Sequence, residues 1–323
     1  MHLKKQRKRS NRISTLTIPE KIRCEGHAGV LAHGLGFDVE EFFCAEAARE
    51  AGITHEDWAS QPKRLAEPIG RILQMLDDHG VKATFFILGW VAENERSLVE
   101  SIASAGHEIA SHGMSHNMLN RLTPETFAAE LLESRKLLED ITGKKVRGFR
   151  APTFSITHKT AWAIDVLAEC DYEYDSSVFP IRHDRYGVAE APPQAHLAVG
   201  PDGGNILEIP PLTLRILGRN FPAAGGGYLR LLGSRFIARA LTSQQRKGQS
   251  GVIYLHPWEL DPGQPELSMS FISRFRHRVN LARTESKLRW LMKQFNFCPM
   301  STIAQSISAQ KLTRFNYGSN TSQ

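Results

Sequence analysis

From about residue 34 onward, apolar runs of strand length alternate with segments of helical period, and the alternation lasts for most of the chain. The runs LGFDV, VKATFFILG, HEIASHG, VRGFRAP, YEYDSSV, NILEIPPL and GVIYLHPW read as strands. Between them RLAEPIGRILQMLDDHG, ENERSLVESIASAG, TPETFAAELLESRKLLEDITG and HKTAWAIDVLAEC read as amphipathic helices, several ending on Gly80, Gly106 or Gly143. Thr123 followed by Pro124 is a helix-start signal. The pattern predicts an α/β fold. Residues 219–241, 271–279 and 285–295 read as further amphipathic helices around the last predicted strand, an extension beginning near residue 213.

Charge changes the picture at one end only. Lys4, Lys5, Arg7, Lys8, Arg9 and Arg12 equal the whole formal excess of +6, so the rest of the 323-residue chain is formally neutral. Nucleic-acid binding by the folded body has no compositional support. Residues 1–33 are expected to be a basic, disordered leader, residues 34–300 the folded domain and residues 301–323 a tail. The leader's sharper reading is peripheral contact with anionic lipid headgroups, at the inner face of a membrane. No apolar stretch of about 7–15 residues follows the leader as in a secretory signal, so a cytoplasmic location is expected. Cys24, Cys44, Cys170 and Cys298 are far apart and read as reduced thiols, with neither a disulfide framework nor a zinc knuckle.

Candidate chemistry gathers at the C-terminal ends of the predicted strands: Asp38 and Glu40, His112 and His116, Arg150, Asp175, His256. That edge is where parallel α/β folds build sites. In GLGFDVEEFF, strand alternation puts Asp38 and Glu40 on one face and turns Glu41 to the other. In HGMSH, two histidines four apart share one side of a helical turn, a spacing that suits a two-histidine metal site. Glu40 or Asp38 can supply the carboxylate that, with two imidazoles and an open position, makes a catalytic rather than structural site. The glycines at 225–227 lack the Lys and Ser/Thr that follow in a phosphate-binding loop.

FDVE (37–40), SHGMSH (111–116), GFRAPTFS (148–155), YDSSVFP (174–180) and IYLHPWE (253–259), in this order, resemble the motifs of the polysaccharide deacetylases, the NodB homology or carbohydrate esterase family 4 group. Within that group the chain is most similar to members associated with exosortase A and exopolysaccharide loci. The resemblance covers about residues 34–300 and implies a distorted (β/α) barrel of the NodB type with extra C-terminal helices. It implies Asp38 as general base, Glu40, His112 and His116 as metal ligands, Arg150 as the group holding the base, and His256 as catalytic acid. Val39 stands where the commoner form of the motif has a second aspartate. Asp175 is the expected partner of His256, with Glu259 a competitor for that role. His107 reads as structural, and Trp258 and Phe154 either line a sugar groove or pack.

The implied activity is metal-dependent removal of N-acetyl groups from amino sugars of a polysaccharide or its lipid-linked precursor. Zinc is the expected ion, with cobalt, nickel or iron able to substitute. The implied partner is an N-acetylated polysaccharide or oligosaccharide, and no organic cofactor is needed. Two other readings remain open: a small-molecule amidase of the allantoinase-like type, and a non-catalytic carbohydrate-binding component of an assembly system.

Overall fold

The computed structural model describes residues 31–307, except residue 184, and residues 312–318. The expected leader therefore lies almost wholly outside the described residues. The strands are β1 (His33–Val39), β2 (Thr84–Ile87), β3 (Glu108–Ser111), β4 (Gly148–Phe149), β5 (Tyr174–Asp175), β6 (His196–Val199), β7 (Asn205–Glu208), β8 (Thr213–Ile216), β9 (Arg219–Pro222), β10 (Val252–Leu255), β11 (Phe297–Cys298) and β12 (Arg314–Asn316). The helices are α1 (Glu46–Glu50), α2 (Ala66–Asp78), α3 (Gly89–Asn94), α4 (Arg96–Ser104), α5 (Pro124–Thr142), α6 (Trp162–Glu169), α7 (Gly226–Leu232), α8 (Ser234–Gln245), α9 (Phe271–Arg278), α10 (Thr284–Gln294) and α11 (Met300–Ser306).

One sheet runs in the order β10-β1-β2-β3-β4-β5-β7-β6-β12, with β11 added against β1, while β8 and β9 form a separate hairpin. Its pairings are parallel except β6 with β7. The ring closes loosely. Residues 209–212 continue β7 without a ladder, and Leu212 N–H donates to Val252 O at 2.8 Å while Tyr254 N–H donates to Ala224 O at 3.0 Å. Isolated bonds at this seam, in place of a continuous ladder, are what distort the barrel.

Alternation along each strand sorts two cores. Leu35, Phe37, Val39, Phe85 and Ile87 point outward into the helices, whereas Phe86, Ala110, Tyr174 and Val252 meet inside the barrel. On the inner face β1 carries Gly34 and Gly36. A Cβ on Gly36 would lie 2.9 Å from Met300 and 3.1 Å from the Arg150 guanidinium, so the interior has no room for one. Helix α5 keeps its expected ends: the Thr123 hydroxyl accepts from Thr126 N–H at 3.3 Å, and Gly143 closes the helix at φ 65°.

Two expectations are corrected. Residues 219–241 are not one helix but β9 followed by α7 and α8, because Pro222 and the glycine run resist helix and Gly233, at φ 86°, breaks what remains. The domain does not stop at residue 300. Met300 and Ile303 of α11 plug the barrel floor, Met300 N–H donates to Thr84 Oγ1 at 2.8 Å, and β12 pairs with β6. Cys44 is a buried thiol and Cys170 a half-buried one. Among the described residues no helix is long and apolar enough to cross a membrane.

The interior's tightness is testable at a glycine. A Cβ on Gly148 would fall 2.1 Å from the Tyr174 ring, whereas one on Gly70 in α2 meets nothing within 4 Å. Gly148→Ala is expected to cost about 1–3 kcal/mol through overpacking, and Gly70→Ala to add up to about 1 kcal/mol through helix propensity. Urea midpoints of the two variants check both signs.

Candidate active site

The site is built where β1 runs out of the barrel. Asp38 follows Gly34 and Gly36 on the inner face, and its Oδ1 accepts from Arg150 Nη1 at 2.6 Å. Both side chains are buried. Arg150 stands at the end of β4 and spends its other donors on Ser176, Nε to the carbonyl at 3.0 Å and Nη2 to the hydroxyl at 2.9 Å. Its guanidinium also lies 4.1 Å over the Phe86 ring. This pairing fixes the direction of Asp38 and leaves its other oxygen facing His256, 3.9 Å from Nε2.

Glu40, one step beyond the strand, shares that side, whereas Glu41 turns away and accepts from the backbone N–H groups of Arg64 and Leu65. The face sorting read from the sequence holds. His112 follows β3, and its Nδ1–H donates to Arg150 O at 2.8 Å, which leaves the Nε2 lone pair 3.8 Å from Glu40 Oε2. His116 Nε2 also lies against Glu40 Oε2. One donor atom from each of Glu40, His112 and His116 falls within 4.8 Å of the others.

The two histidines do not share a helical turn. They lie on a loop in which Gly113 (φ 77°) and His116 (φ 56°) adopt left-handed backbone, and this twist brings the second imidazole round to Glu40. Glu130 of α5 holds the loop, its carboxylate accepting from the N–H groups of Met114 at 3.2 Å and Ser115 at 3.4 Å and from the Ser115 hydroxyl at 2.5 Å. Nothing in the sequence marked Glu130 out from the other acids of that helix.

The cluster fits a divalent cation. Glu40 Oε2 is buried and accepts no hydrogen bond. Burial pushes Glu40 up, but the imidazoles of His116, His256 and His112 outweigh it and bring the carboxyl down to about 2. Burial draws His112 down to about 4, so its ring is neutral. An ionised carboxylate with an unused lone pair and a neutral imidazole is a metal-ligand chemistry.

His256 faces this cluster from the end of β10. Its Nε2 lies 3.9 Å from Asp38 Oδ2 and 3.7 Å from Glu40 Oε1. Its Nδ1 contacts Glu259 Oε1 at 2.9 Å, and Glu259 Oε2 accepts from Arg230 Nε at 2.8 Å. Burial lowers the affinity of His256 for a proton, but the Glu259 hydrogen bond and the carboxylates of Glu40 and Asp38 more than offset it and raise the pKa to about 9. The imidazole is therefore charged at neutral pH. Glu259 reaches its position because Pro257 starts a single 3-10 turn over Pro257–Leu260. It also needs Gly226, where a Cβ would lie 2.2 Å from the carboxylate. Gly226, in the glycine run at 225–227, thus lets α7 close over this acid.

Of the two acids considered for orienting His256, Glu259 holds it. Asp175 instead accepts from the Ser177 hydroxyl at 2.5 Å and pairs with Glu208, which burial and the Asp175 carboxylate push well above the usual range. That pair holds the 176–178 segment on which Arg150 rests. Trp258 and Phe154 pack rather than line a groove: Trp258 Nε1–H points to Glu40 Oε1 at 3.3 Å and Phe154 is buried 4.7 Å from the Tyr254 ring. His107 is structural as expected, its Nδ1 accepting from Ala83 N–H at 3.3 Å. Arg230 carried no signal in the sequence, where it is one arginine of an amphipathic segment.

Residues 48–174 match the family model Polysaccharide deacetylase. Residues 176–305 match a second model, described as a domain of unknown function (DUF3473). A peptidoglycan deacetylase-like protein of Gibberella zeae is 37% identical over 112 residues, 34% of this chain and 32% of that protein. The peptidoglycan-N-acetylglucosamine deacetylase of Bacillus cereus is 32% identical over 96 residues, 29% of this chain and 35% of that protein. The chain thus spans about a third of the length of these relatives. A crystal structure from Mycobacterium smegmatis, assigned to the polysaccharide deacetylases, superimposes with a TM-score of 0.59 at 22% identity over 88% of this chain and 92% of its own, which shows the shared fold.

The deacetylase match contains His112, His116 and Arg150, while His256, Glu259 and Arg230 fall in the second region and Asp38 and Glu40 precede both. These are not two domains: β1 to β5 and β7 and β10 form one sheet around one site. Removing the Glu259 charge takes away two of the influences that offset burial at His256. In Glu259→Gln its pKa is expected to fall from about 9. Titration of the imidazole by NMR checks the direction.

Proposed function

We propose that the protein is a hydrolase that removes N-acetyl groups from amino sugars of a polysaccharide or its lipid-linked precursor. The observation that carries this reading is the meeting of two ion pairs, Asp38–Arg150 and His256–Glu259, beside the Glu40, His112 and His116 cluster, with His256 Nε2 3.9 Å from Asp38 Oδ2. A divalent ion held by those three residues, zinc by the ligand chemistry, would supply Lewis acidity toward an acetamide oxygen and toward water. Asp38, oriented by Arg150, accepts the proton of the attacking water. His256, charged beside Glu259, faces the same cluster and donates to the departing amine nitrogen. Arg150 orients Asp38 directly, and Arg230 orients His256 through Glu259.

The substrate class draws on the relatives named for peptidoglycan and its N-acetylglucosamine. FDVE and HPWE, which resemble the exosortase-associated group, support exopolysaccharide as the particular glycan. Acetate release from N-acetylated oligosaccharides is the direct test. Asp38→Asn and His256→Ala are each expected to lower the rate by about 10²–10⁴-fold. His112→Ala and Glu40→Gln are expected to lose bound zinc as read by metal analysis. No release from any N-acetylated glycan by protein with its metal bound would overturn the reading, and release from small amides alone would favour an amidase.

A further inference from the structure

Beside the site lies a surface that the proposed chemistry does not use. Helix α9 is attached by its buried His277, whose ring stacks 4.5 Å from Trp258, which in turn stacks 5.0 Å from His256. Phe271 and Phe275, four residues apart and on one helical face, are 75% and 51% exposed. The end of α7 adjoins them, because Arg230 Nη1–H donates to the carbonyls of His277 and Val279 at 2.9 Å and Asn280 Nδ2–H returns to Arg230 O at 3.1 Å. There Leu231 and Leu232 are 55% and 46% exposed. Four large apolar side chains are thus exposed on two elements, α9 and the end of α7, that are fastened to each other through Arg230.

Their surroundings select the partner. Arg235, Arg274, Arg276 and Arg283 are exposed around this patch, and Glu266 is the one exposed acid among residues 213–283. A second copy would bring like charge to like charge, and so would the leader with Lys4, Lys5, Arg7, Lys8, Arg9 and Arg12. Leucines beside phenylalanines are not stacking platforms for sugar rings, which use aromatic faces. Apolar side chains projecting through a field of arginines match an interface that is anionic at its surface and hydrocarbon beneath.

We propose that α9 and the end of α7 dock the protein on an anionic lipid bilayer, with the mouth of the site beside the headgroups. This inference concerns binding and does not rest on the deacetylase reading. It is tested with the full chain by flotation with phosphatidylcholine vesicles and with vesicles of phosphatidylcholine and phosphatidylglycerol. The protein is expected to float with the anionic vesicles, less at high salt, and not with the neutral ones. Phe271→Ser with Phe275→Ser is expected to weaken binding by roughly 100-fold, and the fold survives because both side chains are exposed. Phe271→Trp is expected to retain binding and show blue-shifted emission on the vesicles. No flotation of the unsubstituted protein overturns the proposal. So does equal flotation of the Ser variant, including the case in which only K4Q/K5Q/R7Q/K8Q/R9Q/R12Q abolishes binding. A dimer in light scattering, lost in the Ser variant and unaccompanied by flotation, overturns it in favour of a second copy.

Discussion

The buried pairing of Arg150 with Asp38 is the constraint around which the rest of the barrel is arranged. A guanidinium with no solvent contact must find partners for its donors, and the interior supplies Asp38, the Ser176 hydroxyl and the Ser176 carbonyl. Breaking such a pair by removing one partner costs about 3–5 kcal/mol, because the other charge is left buried and alone. Much else follows from making room for it. Gly36 lacks a side chain where the guanidinium passes, Phe86 offers its ring face, and Met300 closes the floor beneath. The Asp175–Glu208 pair, behind the 176–178 segment, keeps the serines in place.

The same arginine links the two chemical functions of the site. Its side chain sets the direction of Asp38, while its backbone carbonyl accepts from His112 and so selects which imidazole nitrogen faces Glu40. On the far side Arg230 plays the matching part for His256 through Glu259, and its remaining donors fasten α9 to the rim. Two buried arginines thus place an acid and a histidine beside one cluster. Charge near His256, rather than exposure, decides that it holds a proton.

The fold was legible wherever a strong local period coincided with a buried element. Strand-length runs around Asp38, Phe86 and Tyr254 and the long helix capped by Thr123 and Gly143 lie where the pattern put them. Three of the short strands were not legible. β6, β11 and β12 span only two to four residues and carry no period of their own, and pairing with distant neighbours creates them. The break of residues 219–241 into a strand and two helices was signalled by Pro222 and Gly233, but the apolar spacing around them masked it. Residues 301–323 read as a tail because Met300 and Ile303 reveal their purpose only inside a barrel that needs a floor.

For the site, sequence by itself determined the cast. Alternation along β1 was enough to separate Asp38 and Glu40 from Glu41, because adjacent side chains of a strand cannot share a face. The order of motifs was enough to bring in His112, His116, Arg150 and His256 through the resemblance they carry. Only the tertiary structure decided how those residues meet. The histidine pair works through left-handed backbone at Gly113 and His116 rather than through a helical turn. Glu259 rather than Asp175 holds His256, and Arg230 and Glu130 support the assembly from helices distant in sequence. Those choices depend on which buried charges end up within hydrogen-bond reach of one another, and that distance is a property of the closed barrel, not of any segment of the chain.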